Sequence, residues 1–361
     1  MIYNQYLDNI KTYEAGKPIE LVVREFGIKP SEVVKLASNE NPLGAPPKAV
    51  EAIKNNATKA YLYPDDSMYE LKEALCKRFD IDKQNIIIGA GSDQIIEFIS
   101  HIRLNENSSI LTSKVTFAMY EIYAKSFGAK VIKTSSYKHI PSEFKQKIKE
   151  ENPDIIYICT PNNPTGDATP KDDVFEIINS APKDLIVVVD GAYMEYVDKD
   201  EYKILPKELL SFPNVIYLGT FSKAYGLGGM RVGYGIANKE LIELLYKVRP
   251  PFNITTLSLV AAINALEDIE FVRKTIALNK EQMRRYIDFA KKYNIEYIPS
   301  FTNFITYLFD NKYNSTTIAN NLMKKGVIIR DLASYGLNGV RITIGTPKQN
   351  DRLFEVLSSE L

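Results

Sequence analysis

Residues 220–231 read TFSKAYGLGGMR, and no other stretch says more about the fold and the chemistry. The apolar run VIYLG just before it predicts a buried strand, which places Lys223 close to the end of that strand. Burial disfavours the ammonium form, so a lysine held there has a lowered pKa and becomes a nucleophile toward an aldehyde. Ser222 and Arg231 are suited to binding a phosphate, and the glycines between them allow close backbone approach. The alternative is a surface lysine in a glycine-rich loop, the commoner case for a lone Ser-Lys pair.

A second segment, VVVDGAY, places a carboxylate at the end of another apolar strand. In an open α/β sheet the carboxyl ends of the strands are where ligands bind, so Asp190 is a candidate site residue. A buried carboxylate needs a cationic or N–H partner, because an unpaired buried charge is unfavourable. The competing interpretation is that Asp190 caps a helix.

Two turn segments complete the pattern. TPNNPTG contains two prolines and a glycine, which predicts a structured loop. In this loop Asn163 either points its amide at a ligand or has only a structural role in the turn. GAGSDQ lies between a predicted strand and a predicted helix. The free N–H groups at that helix N-terminus, around Ser92 and Asp93, are suited to binding an anion. The alternative is that this segment is only a tight turn.

The middle of the chain alternates short β-branched runs with amphipathic stretches, which predicts an α/β fold with a mostly parallel sheet covered by helices. The predicted strands of this large lobe are Ile86–Ile88, Ile110–Thr112, Val131–Lys133, Ile155–Cys159, Ile186–Val189, Val215–Leu218 and Arg231–Ile236, seven in all. The predicted helices include Ser92–Ile102, Met119–Phe127, Ser142–Glu150 and Lys171–Asn179.

The C-terminal part has a different rhythm. A long helical stretch from about Ile269 to Tyr293 precedes short strands at Ile305–Leu308, Val327–Arg330 and Val340–Ile344, which predicts a smaller α+β lobe. We therefore expect an N-terminal arm over 1–36, a large domain over 37–265 and a small domain over 266–361. The arm has no obvious place in the sheet, and we expect it to pack on the small lobe or on a partner subunit.

Composition excludes several classes of protein. The 361 residues contain 45 Lys+Arg and 45 Asp+Glu, and this zero net charge argues against a nucleic-acid-binding surface. Two cysteines, Cys76 and Cys159, cannot form a disulfide framework and fit a reducing cytoplasm. Two histidines cannot make a three-histidine metal site, so no metal is expected. The apolar runs are strand-sized, so we expect no membrane span.

These motifs, in this order along one parallel sheet, resemble the fold-type-I pyridoxal-phosphate aminotransferases. The resemblance rests on NPTG, on the strand-end aspartate Asp190 followed after Gly191 by Ala-Tyr, and on the pattern SKxxGLxGxR, and it covers nearly the whole chain. Other segments resemble the histidinol-phosphate aminotransferase family in particular: TYEAGKP (12–18), KLASNENPLG (35–44), YPDD (63–66), VIIRD (327–331) and RITIGT (341–346).

For the cofactor ring, the resemblance implies five roles. Lys223 is expected to form the Schiff base with pyridoxal 5′-phosphate and later to move a proton. Asp190 is expected to pair with the pyridine nitrogen. Asn163 and Tyr193 are expected to hydrogen-bond the ring oxygen. Phe117 stands where the family stacks an aromatic side chain on the ring, often a tyrosine.

For the cofactor phosphate, the resemblance implies contacts with the backbone of Ser92 and Asp93, the Ser222 hydroxyl and the Arg231 guanidinium. Tyr63 is expected to reach the same phosphate from the other subunit. A homodimer with a shared active site is therefore part of the expectation.

Substrate recognition is expected to involve Arg330 and Arg341, because an arginine forks onto a carboxylate or a phosphate. The alternative is one internal salt bridge for each. The resemblance adds Tyr13 to the phosphate-binding site, and it places Asn39 at the entrance, where plain turn chemistry is an equal alternative.

The implied reaction is transamination between L-histidinol phosphate and 2-oxoglutarate, giving imidazole-acetol phosphate and glutamate. Two alternatives remain: an aromatic or broad-specificity aminotransferase, and an amino-acid-phosphate decarboxylase of the same fold. Gly191 departs from the family pattern, in which many relatives carry Glu or Ala after the aspartate, and the sequence gives no firm account of it.

Overall fold

The structure, a computed structural model, describes residues 4–10 and 18–361. Its α-helices are α1 Ile19–Phe26, α2 Pro47–Asn56, α3 Tyr69–Phe79, α4 Ser92–Arg103, α5 Ala118–Ser126, α6 Pro141–Glu151, α7 Lys171–Ser180, α8 Pro206–Leu209, α9 Lys239–Tyr246, α10 Thr256–Glu267, α11 Ile269–Lys292, α12 Ser315–Lys324 and α13 Pro347–Ser358. Its strands are β1 Val34–Lys35, β2 Ile86–Gly89, β3 Ser109–Thr112, β4 Lys130–Lys133, β5 Ile155–Cys159, β6 Ile186–Asp190, β7 Val215–Thr220, β8 Gly233–Ala237, β9 Glu296–Ile298, β10 Phe304–Leu308, β11 Val327–Ile328, β12 Arg330–Asp331 and β13 Gly339–Thr343.

The large sheet has seven strands in the order β2-β8-β7-β6-β5-β3-β4. Only β8 runs against its neighbours, and the other strands point in one direction. β5 to β8 are buried along their whole length, because two apolar clusters cover the two faces of the sheet. The predicted α/β class and mostly parallel seven-stranded sheet are confirmed. The carboxyl ends of β5, β6 and β7 meet at one edge, which gathers the motifs that follow these strands.

One boundary prediction in this sheet is wrong in an instructive way. The last strand was expected to begin at Arg231, but β8 begins at Gly233. Arg231 has a left-handed backbone, with φ of 54°. That conformation breaks the extended run and turns the arginine side chain back toward the helix α4 N-terminus.

The C-terminal part forms a separate four-stranded sheet in the order β12-β13-β10-β9. β9 was missed from sequence because three residues give too short a pattern. The predicted strand Val327–Arg330 is in fact two strands in two sheets, since β11 pairs with β1 while β12 pairs with β13.

The part of the N-terminal segment from α1 to β1 lies against the C-terminal region, whereas Tyr6 packs beside Gly128 after α5. β1 pairs in parallel with β11, and Val22 of α1 is buried in a small cluster with Ala37 and Ile328. No described helix combines the length and the apolar character needed to cross a membrane.

Candidate active site

The carboxyl ends of the parallel strands border a cavity of about 310 Å³. This volume is in the range of small-molecule sites. Twelve of the residues singled out from sequence line it: Asn39, Ser92, Asp93, Phe117, Asn163, Asp190, Tyr193, Ser222, Lys223, Arg231, Arg330 and Arg341. Residues from both large and small sheets therefore meet in one space.

Lys223 lies three residues after the end of β7 and lines the cavity. Its Nζ donates a hydrogen bond to the Ser38 carbonyl oxygen at 3.4 Å. Burial lowers the pKa of Lys223 to about 8, and the positive charges of Arg341 and Arg231 act in the same direction. A sizeable fraction of this amine is therefore neutral, and so nucleophilic, near physiological pH.

Asp190 ends β6 with 3% of its surface exposed. One carboxylate oxygen, Oδ2, accepts a hydrogen bond from the Tyr120 hydroxyl at 2.6 Å, and Oδ1 accepts one from the Ala192 N–H at 3.1 Å. Burial raises the pKa of Asp190, whereas both hydrogen bonds lower it. Asp190 caps no helix, so the alternative role considered from sequence does not apply.

An anion-binding end is built around the N-terminus of α4, which begins at Ser92 with Gly91 as its N-cap. The Arg231 guanidinium packs over Gly91 so closely that a Cβ there would lie 2.6 Å from Nη2. Arg231 Nη1 donates to the Gly228 carbonyl oxygen at 3.1 Å and to the Ser222 Oγ at 3.4 Å. Helix N–H groups, a hydroxyl and a guanidinium thus converge on one point.

Asp93 stands beside this end. Its Oδ2 accepts a hydrogen bond from the Tyr123 hydroxyl at 3.1 Å, and its Oδ1 is buried without a hydrogen-bond partner. Burial raises the pKa of Asp93, while Tyr123 and Arg231 oppose that shift. The carboxylate side chain is turned toward α5, so only the Asp93 backbone is suited to an anion.

Tyr193 is held by the segment between β1 and α2. Its hydroxyl accepts a hydrogen bond from Asn39 Nδ2 at 2.9 Å, and burial raises the pKa of Tyr193. Asn39 is itself buried, and Thr343 of β13 bonds both its backbone N–H and its Oδ1. Asn39 therefore links Tyr193 to the small sheet, a role beyond that of a turn.

Arg330 and Arg341 lie directly opposite each other on β12 and β13. Arg341 Nη1 donates to Asn163 Oδ1 at 2.6 Å, and Nη2 donates to the Ala37 carbonyl oxygen at 2.6 Å. Its guanidinium also lies 5.3 Å from the centre of the Phe304 ring. Two guanidinium groups side by side on one cavity wall favour an anionic ligand between or near them.

Phe117 precedes α5 and lines the cavity. One turn along, Tyr120 packs edge-on against it, with ring centres 5.6 Å apart. Sequence reasoning missed Tyr120 as a site residue. Its position three residues after Phe117, in the first turn of a predicted helix, was the available signal, since residues three apart come close together there. The backbone carbonyls of Ala37 and Ser38 were also missed, because a carbonyl leaves no trace in residue type.

Two of the predicted site residues, Tyr63 and Tyr13, are not among the described residues that line the cavity. Tyr63 is 83% exposed, and its ring contacts Phe252 with centres 4.7 Å apart. Tyr13 lies outside the described residues.

The chain is similar over nearly its full length to known enzymes. Residues 31–357 match the family model described as aminotransferase class I and II. The histidinol-phosphate aminotransferase of Sulfurovum sp. (strain NBC37-1) is 64% identical over 98% of each chain. The chain belongs to the histidinol-phosphate aminotransferase family. The family enzyme of Sulfurimonas denitrificans (strain ATCC 33889 / DSM 1251) is 58% identical over 99% of each chain.

The fold of this histidinol-phosphate aminotransferase family member also matches a solved structure. The histidinol-phosphate aminotransferase from Sinorhizobium meliloti, solved in complex with pyridoxal-5′-phosphate, superimposes with a TM-score of 0.89. The two sequences are 24% identical, and the match covers 99% of this chain and 98% of the other.

The cavity fits the cofactor that the family implies. Pyridoxal phosphate needs an amine for its aldehyde, an acid for its ring nitrogen and a positive cradle for its phosphate. Lys223, Asp190 and the end formed by Ser92, Ser222 and Arg231 meet these three needs in one cavity. The Asp190 carboxylate supports the fit, because each of its oxygens accepts one hydrogen bond from the chain and has acceptor capacity left.

Proposed function

We propose that this protein is a pyridoxal-phosphate-dependent aminotransferase that transfers the amino group of L-histidinol phosphate to 2-oxoglutarate. The products are imidazole-acetol phosphate and L-glutamate, a step of L-histidine biosynthesis. The observation that carries the proposal is the 64% identity with a histidinol-phosphate aminotransferase over 98% of both chains. Two free cysteines among the described residues fit the cytoplasm as its place of action.

In this proposal Lys223 is the covalent anchor and the proton carrier. When bound, pyridoxal phosphate supplies an aldehyde that condenses with amines and a ring that accepts electrons. The Lys223 Nζ, with its pKa lowered to about 8, accepts a proton from the substrate carbon. The same amine gives this proton back later in the reaction. The Ser38 carbonyl oxygen orients this amine through its hydrogen bond.

The remaining groups bind and orient. When the cofactor is bound, Asp190 would hold a proton on the ring nitrogen, and Phe117 would lie against the ring. Asn163 and Tyr193 would hydrogen-bond the ring oxygen. Asn163 is itself bonded to Arg341, and Tyr193 to Asn39, so these hydrogen bonds would link the ring oxygen to the residues that bind the substrate.

Arg231, the Ser222 hydroxyl and the N–H groups at Ser92 and Asp93 bind the cofactor phosphate. The Arg330 and Arg341 pair binds the substrate anion. We propose that this pair serves the phosphate monoester of histidinol phosphate and a carboxylate of glutamate in turn. Tyr13, carried by the N-terminal arm, is proposed to join the phosphate-binding site.

Purified protein tests the reaction directly. It is expected to form glutamate from 2-oxoglutarate only when L-histidinol phosphate is present, and to use phenylalanine and tyrosine poorly because they bring no phosphate. Equal kcat/KM values for these aromatic substrates would favour a broad-specificity enzyme. Release of CO₂ without a keto product would favour a decarboxylase, and absence of any glutamate would refute the proposal.

We also propose a homodimer in which Tyr63 completes the partner's site. Tyr61, Leu62, Tyr63 and Phe252 are large apolar side chains that are each at least 44% exposed. A cluster of this kind on a globular chain indicates an interaction surface. The segment is anchored from behind, because Arg249 forms a two-pronged ion pair with Asp66.

Mixed dimers test this arrangement. Lys223→Ala and Tyr63→Ala subunits, each poorly active alone, are expected to regain about a quarter of wild-type activity after random mixing, since half of the dimers then hold one complete site. No recovery in mixed dimers, isolated through a different affinity tag on each subunit, would mean that Tyr63 does not act across the interface.

A further inference from the structure

Among the described residues, Tyr120 is the only one whose side chain donates a hydrogen bond to Asp190. Its hydroxyl lies 2.6 Å from Asp190 Oδ2, and the two residues are 1% and 3% exposed. They come from different elements, α5 and the end of β6, which are 70 positions apart in sequence. Such a contact joins the helix that directly follows Phe117 to the strand that carries the acid.

The Tyr120 ring is fixed on two sides. It stacks on Tyr157 of β5 with ring centres 4.2 Å apart and planes 10° apart. Phe117 meets it edge-on from the cavity side. The hydroxyl therefore cannot swing away from Asp190 without disturbing both aromatic contacts, and the direction of its hydrogen bond is set in advance.

The chemistry of Asp190 explains why this matters. The acid is useful only while ionised, because a neutral carboxyl group would leave the ring nitrogen without its proton or its counter-charge. Burial pushes Asp190 toward the neutral form, and the nearby negative charge of Asp93 does the same. The opposing influences are the Tyr120 hydroxyl, the Ala192 N–H and the Lys223 charge. Tyr193 and Cys159 also face this region from the neighbouring segments.

We propose that Tyr120 is a positioning residue that keeps Asp190 ionised and aims its carboxylate at the ring nitrogen of the bound cofactor. The inference rests on the proposed role of Asp190 and extends it to a residue that touches neither cofactor nor substrate. Removing the hydroxyl shifts the shared proton from the ring nitrogen toward the carboxylate, while the rest of the cavity stays in place.

The test uses the intact holoenzyme loaded with ring-¹⁵N pyridoxal phosphate, and it measures the ¹⁵N chemical shift and the cofactor dissociation constant. Tyr120→Phe is compared with Tyr157→Phe, a matched control that removes a hydroxyl from the stacked partner. Asp190→Asn calibrates the shift of an unpaired ring nitrogen. Tyr120→Phe is expected to move the shift clearly toward the Asp190→Asn value and to weaken cofactor binding about tenfold. Tyr157→Phe is expected to match the wild type.

Each outcome separates the two ideas. If Asp190→Asn shifts the signal and Tyr120→Phe leaves it at the wild-type value, the inference about Tyr120 is wrong and the role of Asp190 stands. If Asp190→Asn changes nothing, the proposed role of Asp190 falls, and the inference falls with it. Should Tyr120→Phe fail to fold, 3-fluorotyrosine placed at position 120 alone keeps the ring and strengthens the donor. It is expected to tighten cofactor binding, and unchanged or weaker binding would overturn the inference.

Discussion

The two walls of the cavity are built in different ways. The cofactor half, formed by Ser92, Asp190, Ser222, Lys223 and Arg231, comes from the ends of strands in one sheet and from the loops that follow them. The substrate half, formed by Asn39, Arg330 and Arg341, comes from the four-stranded sheet and from the segment between β1 and α2. The residues of the first half are all held by one sheet and its loops, whereas those of the second come together only where separate parts of the chain meet.

The charges of the two halves differ as well. The cofactor half sets the acid Asp190 and the base Lys223 in the same buried space, and Arg231 adds a positive charge at its phosphate-binding end. The substrate half carries two opposed arginines on neighbouring strands and no acid among the residues named here. One half is therefore suited to holding and moving protons beside a bound phosphate, and the other to attracting anions from solution. Changes in the first should affect the chemical step, and changes in the second should affect binding.

The largest effect is expected in the cofactor half. Lys223→Ala should lower kcat by more than about a thousandfold, because it removes both the nucleophile and the general base. The variant is expected to fold and to bind pyridoxal phosphate without a covalent bond. Steady-state kinetics, together with mass spectrometry after borohydride reduction, measures both properties. Lys239→Ala, an exposed lysine of α9, is the control, and turnover near the wild-type rate in Lys223→Ala would refute the assignment.

The substrate half should respond in KM. Arg341→Ala is expected to lower kcat/KM by about a hundredfold for histidinol phosphate and for glutamate together, because it removes a buried charged partner of both anions. Arg341→Lys keeps the charge without the fork and is expected to recover only part of the loss. A defect confined to one of the two substrates would show that the pair is not shared.

The same contrast explains how much could be read from sequence. All seven strands of the large sheet were predicted. The inner strands β5 to β8 are buried along their length and largely apolar, and the outermost strand β4 keeps two apolar residues at its centre. Asp190, Ser222 and Lys223 were found for the same reason, since each ends or follows a strand whose end is visible in the pattern. Their grouping at one edge of the sheet follows from its parallel topology.

The rest depends on contacts that residue type does not record. Arg231 could not be seen to have a left-handed backbone, so the start of β8 was misplaced. The hydrogen bonds from Arg341 to the Ala37 carbonyl oxygen and from Lys223 to the Ser38 carbonyl oxygen involve backbone atoms. Tyr120 appeared as an ordinary helix residue because its partner lies on a distant strand.

A third prediction concerns the stability of the cofactor-free protein. Because folding lowers the pKa of Lys223 from 10.5 to about 8, the folded state binds fewer protons than the unfolded state between these values. Stability should therefore rise with pH through this window, and the full penalty, on the order of 3 kcal/mol, should be present below about pH 8. Lys223→Met removes the charge and the penalty.

Urea unfolding of both proteins from about pH 7 to pH 10.5 measures the effect. The free energy of unfolding of Lys223→Met is expected to exceed that of the wild type at the lower pH, and the gap should close as pH rises. Subtracting the two curves removes the titration of the other groups. A gap that stays constant with pH would mean that Lys223 is not desolvated in the fold.

The smallest effect concerns the packing behind the cofactor half. A Cβ at Gly191 would lie 2.3 Å from the Tyr217 hydroxyl oxygen and 2.4 Å from its Cζ, so the departure of Gly191 from the family pattern is matched by the tyrosine that fills its space. Gly191→Ala is expected to destabilise the fold by about 1 to 2 kcal/mol through overpacking. It should also weaken cofactor binding a few-fold, since the displaced backbone adjoins Asp190.

In a Tyr217→Leu background the added methyl group has room, so Gly191→Ala should destabilise the fold much less. Thermal unfolding of the wild type, the two single variants and the double variant measures the coupling. Equal losses in both backgrounds would show that the cofactor half does not depend on this contact for its position.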